Sequence, residues 1–540
     1  MTWRPGPVNA MAVKVVTVAE MQALEAASAA AGVSTDTLME NAGLACARRV
    51  RERMGGAAGR RVVVLVGPGN NGADGFVLAR HLARWGADVC CYIVRGRPAE
   101  DPKMTDALAY GVAVADCPED SQLTGLSRLV MSSDAVVDAI LGAGRYRPLH
   151  GSVGEVTCLV NSIRRGRAGL SVVAVDLPTG VNPDTGDADP RTIHADETLA
   201  LCHPKYGIAS FPGAGYAGRI TVLGIGLPDE VSASADENLP TEWMTPEAAR
   251  ALLPARPLTS HKGTFGHLLI VAGSRNFVGA ASLAARGAHR AGAGLVTLAA
   301  PESVYRIAAS HLTETIHLPL PEDADGRIDA SAADVIRERI HGYSAIAVGC
   351  GLGWSSGTAA LMDRLLLAGE APPSLSAVID ADGLNSLSRC SHWADRLRAS
   401  AVLTPHPGEM ATLTGQPTAQ IQSDRIGAAS QSASNWRQTV LLKGAHSVVA
   451  SPEGQRCILP FANPALAAGG TGDVLTGIIG GLSAQGLAPY DAARLGGFLH
   501  GTAAEQVRAD YGDAGVVASD LLERIPAITA GLRARETTRD

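Results

Sequence analysis

The sequence predicts two successive α/β domains, each a largely parallel sheet covered by helices on both faces. Three observations carry this. Short β-branched runs alternate with longer helical patterns in both halves, the alternation is broken once by a polar stretch, and several strand-like runs end in Gly, Asp or Pro-Thr-Gly. At 540 residues the chain exceeds one ordinary domain. Its 46% hydrophobic and 18% charged residues are those of a globular protein, and abundant Ala and Gly with 4% aromatics favour helices packed closely on sheets.

In the first half, "RVVVLVGPG" (61–69) reads as a strand and its turn, and "FVLARHLARWGA" as the amphipathic helix that follows. "DVCCYIVRG", "DAVVDAILG", "LSVVAVDLPTG" and "GRITVLGIGLP" continue the strands to about residue 228. Residues 229–260 are rich in Ser, Asp, Glu and Pro and lack a sustained apolar period. The expected division is therefore a domain over 11–228, a linker over 229–243 and a larger domain over 244–535. Thr245 followed by Pro246 predicts the start of a short helix in "TPEAARALL". The second half restarts with "GHLLIVAGS", "GAASLAARGAHRAGA" and "GLVTLAA", and continues through "YSAIAVGCGLG", "LSAVIDADGL", "SAVLTPHPGE" and "TVLLKGAHSVVAS". No fixed-period repeat appears.

A net charge of −7 argues against binding nucleic acid through bulk electrostatics. No apolar run reaches the ~18 residues of a membrane helix, and the start has no continuous apolar segment of a secretory signal. Met11 is an alternative start, since the ten residues before it read as a loose tail. Nine cysteines without a CxxC pair or a zinc-site spacing read as small buried hydrophobes in a reducing compartment, so the expected location is cytoplasmic.

"VGPGNNGADGF" places Gly67, Gly69 and Gly72 in G-x-G-x-x-G spacing between a strand and a helix, the textual form of a dinucleotide fingerprint. An acid should then close the next strand, but Arg95-Gly96-Arg97 stands there. Arginines would suit a 2′-phosphate, whereas Asn70, Asn71 and Asp74 suit a cation or a polar ligand's hydroxyls. A simple strand-to-helix turn is the competing reading. Asp138 before the Gly142/Gly144 turn and Asp176 before Pro178-Thr179-Gly180 supply two further strand ends with carboxylates.

With these in place, "LMENAG" (38–43), "GNNGADG" (69–75), "DAILGAGRYRP" (138–148) and "VDLPTGVNPDTG" (175–186) resemble the NAD(P)H-hydrate epimerase domain of the bifunctional NAD(P)H-hydrate repair enzymes, over about 14–226. The resemblance implies a Rossmann-like three-layer α/β domain. It implies that Asn70, Asn71, Gly72, Ala73 and Asp74 line the hydrated nicotinamide nucleotide, together with Gly142, Ala143, Gly144 and Arg145, then Tyr146, Arg147 and Pro148, with Asp176 in the site. It further implies potassium held by Asn71, Asp138 and Thr179. Ala73 stands where the family usually has Gly, and Thr179 where it usually has Ser. Epimerising a hydrated carbon needs proton delivery and removal, and Asp176 is the candidate acid/base.

In the second half, "GAGL" reads as a helix end, "TPHPGE" as a rigid turn and "KGAHS" as a hairpin when each is taken alone. In order, with "TSHKGTFGHLLIVAGS", "VGCGLG", "IDADGL" and "GGTGDVLTG", they resemble the ADP/ATP-dependent NAD(P)H-hydrate dehydratase, a ribokinase-like α/β domain, over about 244–530. The resemblance implies substrate contacts at Ala280, Gly351, Gly353, His406 and Asp473. It implies nucleotide contacts at Lys443, Gly444, Ala445, His446, Ser447 and Gly472, with Mg2+ accompanying the nucleotide. Cys350 stands where the family commonly has Pro, and Leu466 where Met is common.

Backbone N–H groups of Gly470, Thr471 and Gly472 at a helix start suit a transferring phosphoryl group, and Asp473 behind them suits the base that takes the hydroxyl proton. The expected activity is epimerisation of R and S hydrates (NADHX and NADPHX), then nucleotide-driven dehydration of the S form, with ADP favoured over ATP and giving AMP and phosphate. A homo-oligomer is the family expectation; nucleic acid and membrane are not expected partners. The alternatives are a vitamin-type kinase with an appended Rossmann-like domain, and a non-catalytic scaffold of the RNA-decapping-enhancer kind.

Overall fold

The computed structural model describes residues 13–534 except 99, 121, 145, 369–371 and 373–374. Arg145 and the outer ends of the expected domains, 11 and 535, lie outside the described residues. The chain divides into two compact units, Met1–Trp243 and Met244–Asp540.

In the first unit, β1 (Val13–Lys14) precedes a parallel sheet made of β2 (Arg61–Val66), β3 (Asp88–Ile93), β4 (Ala113–Asp116), β5 (Ala135–Ala139), β6 (Ser171–Val175), β7 (Glu197–Leu201) and β8 (Arg219–Leu223). Their order is β4-β3-β2-β5-β6-β7-β8, and every pairing is parallel. Alternate residues explain why β2 is apolar from Val62 to Val66. Val62, Val64 and Val66 pack under the helices Thr35–Arg53 and Asn70–Arg84, while Val63 and Leu65 pack under Thr124–Ser132 and Gly151–Gly166. The order reverses between β2 and β5, and ligands of open parallel sheets bind outside such a reversal.

The stretch 229–243, expected as a linker, contains the helix Asp229–Asn238 and the strand β9 (Thr241–Trp243), which pairs antiparallel with β1. Only Val231 and Ala235 of that helix are buried. A face of two small residues four apart is too brief to stand out as a periodic pattern.

The second unit contains β10 (His267–Val271), β11 (Leu295–Pro301), β12 (Ile316–Leu320), β13 (Ala345–Val348), β14 (Ser376–Ile379), β15 (Ser400–Leu403), β16 (Thr439–Leu442), β17 (Val448–Ala450) and β18 (Arg456–Ile458). They run β18-β17-β16-β15-β14-β13-β10-β11-β12, parallel from β16 to β12 and antiparallel through β16, β17 and β18. Here the order reverses between β10 and β13. Leu268 and Ile270 face one helical layer, and Leu269 and Val271 the other. This is the three-layer α/β architecture expected of a ribokinase-like domain.

Helices Val278–Arg290 and Thr471–Ala484 lie almost backbone to backbone. A Cβ on Gly477 would overlap the Ala284 carbonyl, and one on Gly287 would lie 2.7 Å from the Val474 carbonyl oxygen. Small residues thus bring the start of the second helix close to the sheet. Thr245 caps the short helix Pro246–Ala251 as the sequence predicts, its hydroxyl accepting from the Ala248 N–H at 3.1 Å. Among the described residues no helix is long and apolar enough to cross a membrane.

Candidate active sites

In the first unit, the loops after β2, β5 and β6 enclose a cavity of about 410 Å³. The two strands at the reversal meet directly, since a Cβ on Gly67 would overlap the Ile140 carbonyl. Gly72 faces its own loop, where a Cβ would overlap the Gly67 carbonyl. Arg97 ties this loop down, donating from Nη1 to the carbonyls of Gly67 (2.6 Å) and Gly69 (3.0 Å) while Nε meets Asp101 at 2.7 Å. Its side chain is 5% exposed, with Nη1 committed to the loop carbonyls and Nε to Asp101 rather than turned to a 2′-phosphate.

Asn70, Asn71, Asp74, Gly142, Ala143 and Gly144 line the cavity, as do Tyr146, Arg147 and Asp176. Gly72 and Ala73 fall within the helix Asn70–Arg84 and, with Pro148, are not among the lining residues. Because Ala73 sits in helical backbone, the Ala found there requires no glycine-only conformation.

Asp176 stands at the end of β6 with φ 66°, a left-handed geometry uncommon for a residue with a side chain. Its Oδ1 accepts from Lys205 Nζ at 2.5 Å, and both residues are buried. Glu25 also lines the cavity, and burial raises its carboxyl. Burial beside Asp176 and Glu25 pushes Asp74 well above the usual carboxylate range.

Behind the cavity, Asp138 is fully buried. It accepts from the Thr179 N–H (2.7 Å), the Thr179 hydroxyl (2.7 Å) and the Ile140 N–H (3.2 Å), and burial pushes it up to about 6. Asn71 Nδ2 is buried without a partner.

In the second unit, the predicted residues gather at the carboxyl ends of β10 and of β13 to β16. Gly351 approaches Ala280, a Cβ there lying 2.8 Å from the Ala280 Cβ, and the Gly353 N–H donates to Asp382 Oδ2 at 2.9 Å. His406 caps the helix Pro407–Thr414, its Nδ1 accepting from the N–H groups of Gly408 (3.0 Å) and Glu409 (3.2 Å). Its Nε2 lies 3.4 Å from Glu409 Oε1, on a side chain 56% exposed. Gly444 to Ser447 form the turn between β16 and β17. Ser447 Oγ accepts from the Gly444 N–H at 3.1 Å, and Arg425 grips the carbonyls of Leu442 and Lys443 at 3.1 Å. "KGAHS" is thus a hairpin turn, placed at the sheet end where the nucleotide contacts were expected.

Lys443 Nζ reaches Asp380 Oδ1 at 2.6 Å and Glu409 Oε2 at 3.8 Å. Burial alone would lower the ammonium, yet Asp380 and Glu409 carry it above its ordinary value. The second oxygen of Asp380 accepts from Thr476 at 2.6 Å. The helix carrying Thr476 begins at Thr471, after Gly470 at φ 92°, so Asp473 is its third residue. A Cβ on Gly472 would lie 3.5 Å from Lys443 Nζ, which places the helix start against the lysine. His500 holds the first turn in place, its Nε2 2.9 Å from the Thr471 carbonyl oxygen. Asp473 is pushed up to about 6, chiefly by burial, and the Cys350 thiol is hydrogen-bonded to it.

Lys205, Glu25, Asp380, Glu409 and His500 were not singled out from sequence. Asp380 and Glu409 stand inside the quoted "IDADGL" and "LTPHPGE", and Lys205 follows the apolar run of β7 in "HPKYG", so each had a strand-end signal.

Residues 268–527 match the family model described as NAD(P)H-hydrate dehydratase, and residues 35–207 the one described as YjeF-related protein N-terminus. The chain is 39% identical over 523 residues to the bifunctional NAD(P)H-hydrate repair enzyme Nnr of Moorella thermoacetica, covering 96% of this chain and 97% of that one. It is 39% identical over 517 residues to the enzyme of the same name from Salinibacter ruber, covering 92% and 93%. Among solved structures, an ADP/ATP-dependent NAD(P)H-hydrate dehydratase from Bacillus subtilis, co-crystallised with ATP and Mg2+, is 34% identical with a TM-score of 0.47, covering 53% of this chain and 97% of that one. Identity at this level over nearly the whole length of both chains places this protein in the bifunctional NAD(P)H-hydrate repair enzyme family.

Proposed function

We infer that the chain repairs hydrated NADH and NADPH, the first unit interconverting the R and S hydrates and the second removing water from the S hydrate at the expense of an adenine nucleotide, ADP in preference to ATP. The observation that carries the second activity is the helix start at Gly470 to Asp473, which sets free N–H groups, the Lys443 ammonium and a half-buried carboxylate around one point.

Anions are stabilised at such a start by the unpaired N–H groups and the helix dipole. Lys443 adds a positive charge that Asp380 and Thr476 hold in place. Asp473 takes the proton of the substrate hydroxyl as its oxygen accepts the phosphoryl group. The ring nitrogen lone pair then forms a C=N bond as phosphate departs, and loss of a proton from the adjacent ring carbon to the departing phosphate makes the ring C=C bond, returns the C=N electrons to nitrogen and restores the dihydropyridine. His406 Nε2 and the Gly351/Gly353 loop are the proposed substrate contacts, and the Lys443–Ser447 turn the nucleotide contact.

Magnesium would neutralise charge on the nucleotide phosphates. Such an ion keeps several waters and is held largely by the nucleotide's phosphate oxygens. In the first unit, Asp176 with Lys205 carries the proton transfer. Potassium fits beside it. Asp138 is a buried carboxylate with no ammonium or guanidinium among the groups that shift it, so no side-chain cation of the chain balances its charge. Asp138, the Asn71 carboxamide oxygen and Thr179 would hold the ion with hard oxygen donors.

The test is to supply mixed hydrates with ADP or with ATP and follow the return of reduced-nicotinamide absorbance. Complete conversion of both epimers, faster than spontaneous epimerisation, is expected, with the higher rate on ADP. Accumulation of a stable phosphorylated alcohol would refute the dehydratase reading.

A further inference from the structure

We propose that epimerisation in the first unit runs between two carboxyl groups, Asp74 giving a proton to the departing hydroxyl and Asp176 taking one from the water that returns on the opposite face. The proposal rests on the reading of this unit as the epimerase.

Asp74 is 7% exposed and lines the same cavity as Asp176. A buried carboxyl ordinarily has hydrogen-bond partners. Among the described residues neither oxygen of Asp74 has one, so its hydrogen-bonding capacity faces the cavity. The two aspartates differ in what surrounds them. Asp176 Oδ1 accepts from the Lys205 ammonium at 2.5 Å, the partner a carboxylate acting as a base would have.

The groups acting on Asp74 are the carboxylates of Asp176 and Glu25 and the ammonium groups of Lys205 and Lys103, with the Cys46 thiol also in its field. Burial and the two carboxylates prevail, which raises the proton affinity of Asp74 well above that of an ordinary carboxylate. A buried carboxyl without a partner beside one paired to an ammonium is an arrangement that can divide acid from base.

The chemistry balances without a further reactant. The ring nitrogen lone pair forms a C=N bond as the C–O bond breaks, and the oxygen leaves as water with the Asp74 proton. Water adds to the other face, the C=N electrons return to nitrogen, and Asp176 accepts the proton released. The carbon is inverted, and the two carboxyls have exchanged protonation states. That exchanged state is the one required to invert the carbon back, so one pair serves both directions.

The full-length chain is assayed with each separated epimer, comparing wild type with Asp74→Asn, Asp74→Glu and Asp176→Asn. In Asp74→Asn, kcat is expected to fall by about 100-fold or more in both directions, the scale of a lost general acid, while KM stays within roughly threefold. The fall in wild-type rate at high pH, where Asp74 loses its proton, is expected to disappear in Asp74→Asn, a change that a merely structural role would not produce. Asp74→Glu, which keeps the acid, is expected to retain epimerisation well above Asp74→Asn. Dehydration of the S hydrate by the same preparations reports an intact chain. The proposal is overturned if Asp74→Asn keeps a kcat near wild type, or if its loss lies in KM alone. A wild-type chain that does not epimerise overturns the reading of the unit instead.

Discussion

Asp473→Asn separates chemistry from stability, because the same burial that suits Asp473 to take a proton also makes its charge costly. An unfolded aspartate titrates near 3.8, while burial holds Asp473 at about 6 in the folded chain. Each tenfold difference in proton affinity is worth about 1.4 kcal/mol. The ionised carboxylate therefore lowers stability by up to about 3 kcal/mol above pH 6, and by about 1–3 kcal/mol after allowing for partial exposure.

The sign follows from proton uptake. Between 3.8 and about 6 the folded state binds more protons than the unfolded one, so stability rises as pH falls through that window, and the penalty is gone below 3.8. Replacing the carboxylate by an amide of the same shape is expected to raise Tm at pH 8 by a few degrees, up to about 10 °C at roughly 2–4 °C for each kcal/mol. That gain should vanish near pH 4. Dehydration should fall by about 100-fold or more while epimerisation is unchanged. Thermal scans from pH 4 to 8 and the absorbance assay on S hydrate measure both. A lower Tm at pH 8, or dehydration within tenfold of wild type, would refute the reasoning.

Lys443→Met leaves Asp380 buried without its cation, which costs about 3–5 kcal/mol. Adding Asp380→Asn should restore much of the Tm but none of the dehydration, as thermal scans and rates on the single and double variants will show. Gly470→Ala forces a side chain into left-handed backbone with its Cβ 2.6 Å from Leu283 Cδ1. A loss of at least about 1–2 kcal/mol and a slower dehydration are expected, against an unchanged epimerisation rate. Exchanging potassium for lithium should slow epimerisation and leave dehydration alone. Asp138→Asn should weaken the potassium activation constant by at least about tenfold, the loss typical of disturbed metal surroundings.

The alternation of strands and helices was legible because strands such as β2 and β10 are buried on both faces after their first residue and carry apolar runs from there on. The helix Asp229–Asn238 was not, since its buried face is two small residues. Within the sites, most of the residues inferred from motifs lie together, because each motif is the turn at the end of one strand and all strands of a parallel sheet end on the same edge. Gly72, Ala73 and Pro148 miss the cavity for a reason local sequence does not carry. The helix begins at Asn70, so Gly72 and Ala73 turn into it.

The sequence by itself determined the two α/β units, the strand-end loops and the helix start that carries Asp473, because these depend on residues close together in the chain. Only the tertiary structure decided what each charge faces. Lys205 meets Asp176 across 29 residues, Lys443 meets Asp380 across 63, and His500 holds Thr471 from another helix 29 residues away. Arg97 is occupied by the glycine loop, and Asp74 is left without a partner in a buried cavity. A motif names a side chain, but its protonation state follows from burial and neighbouring charge, which exist only once the strands are aligned.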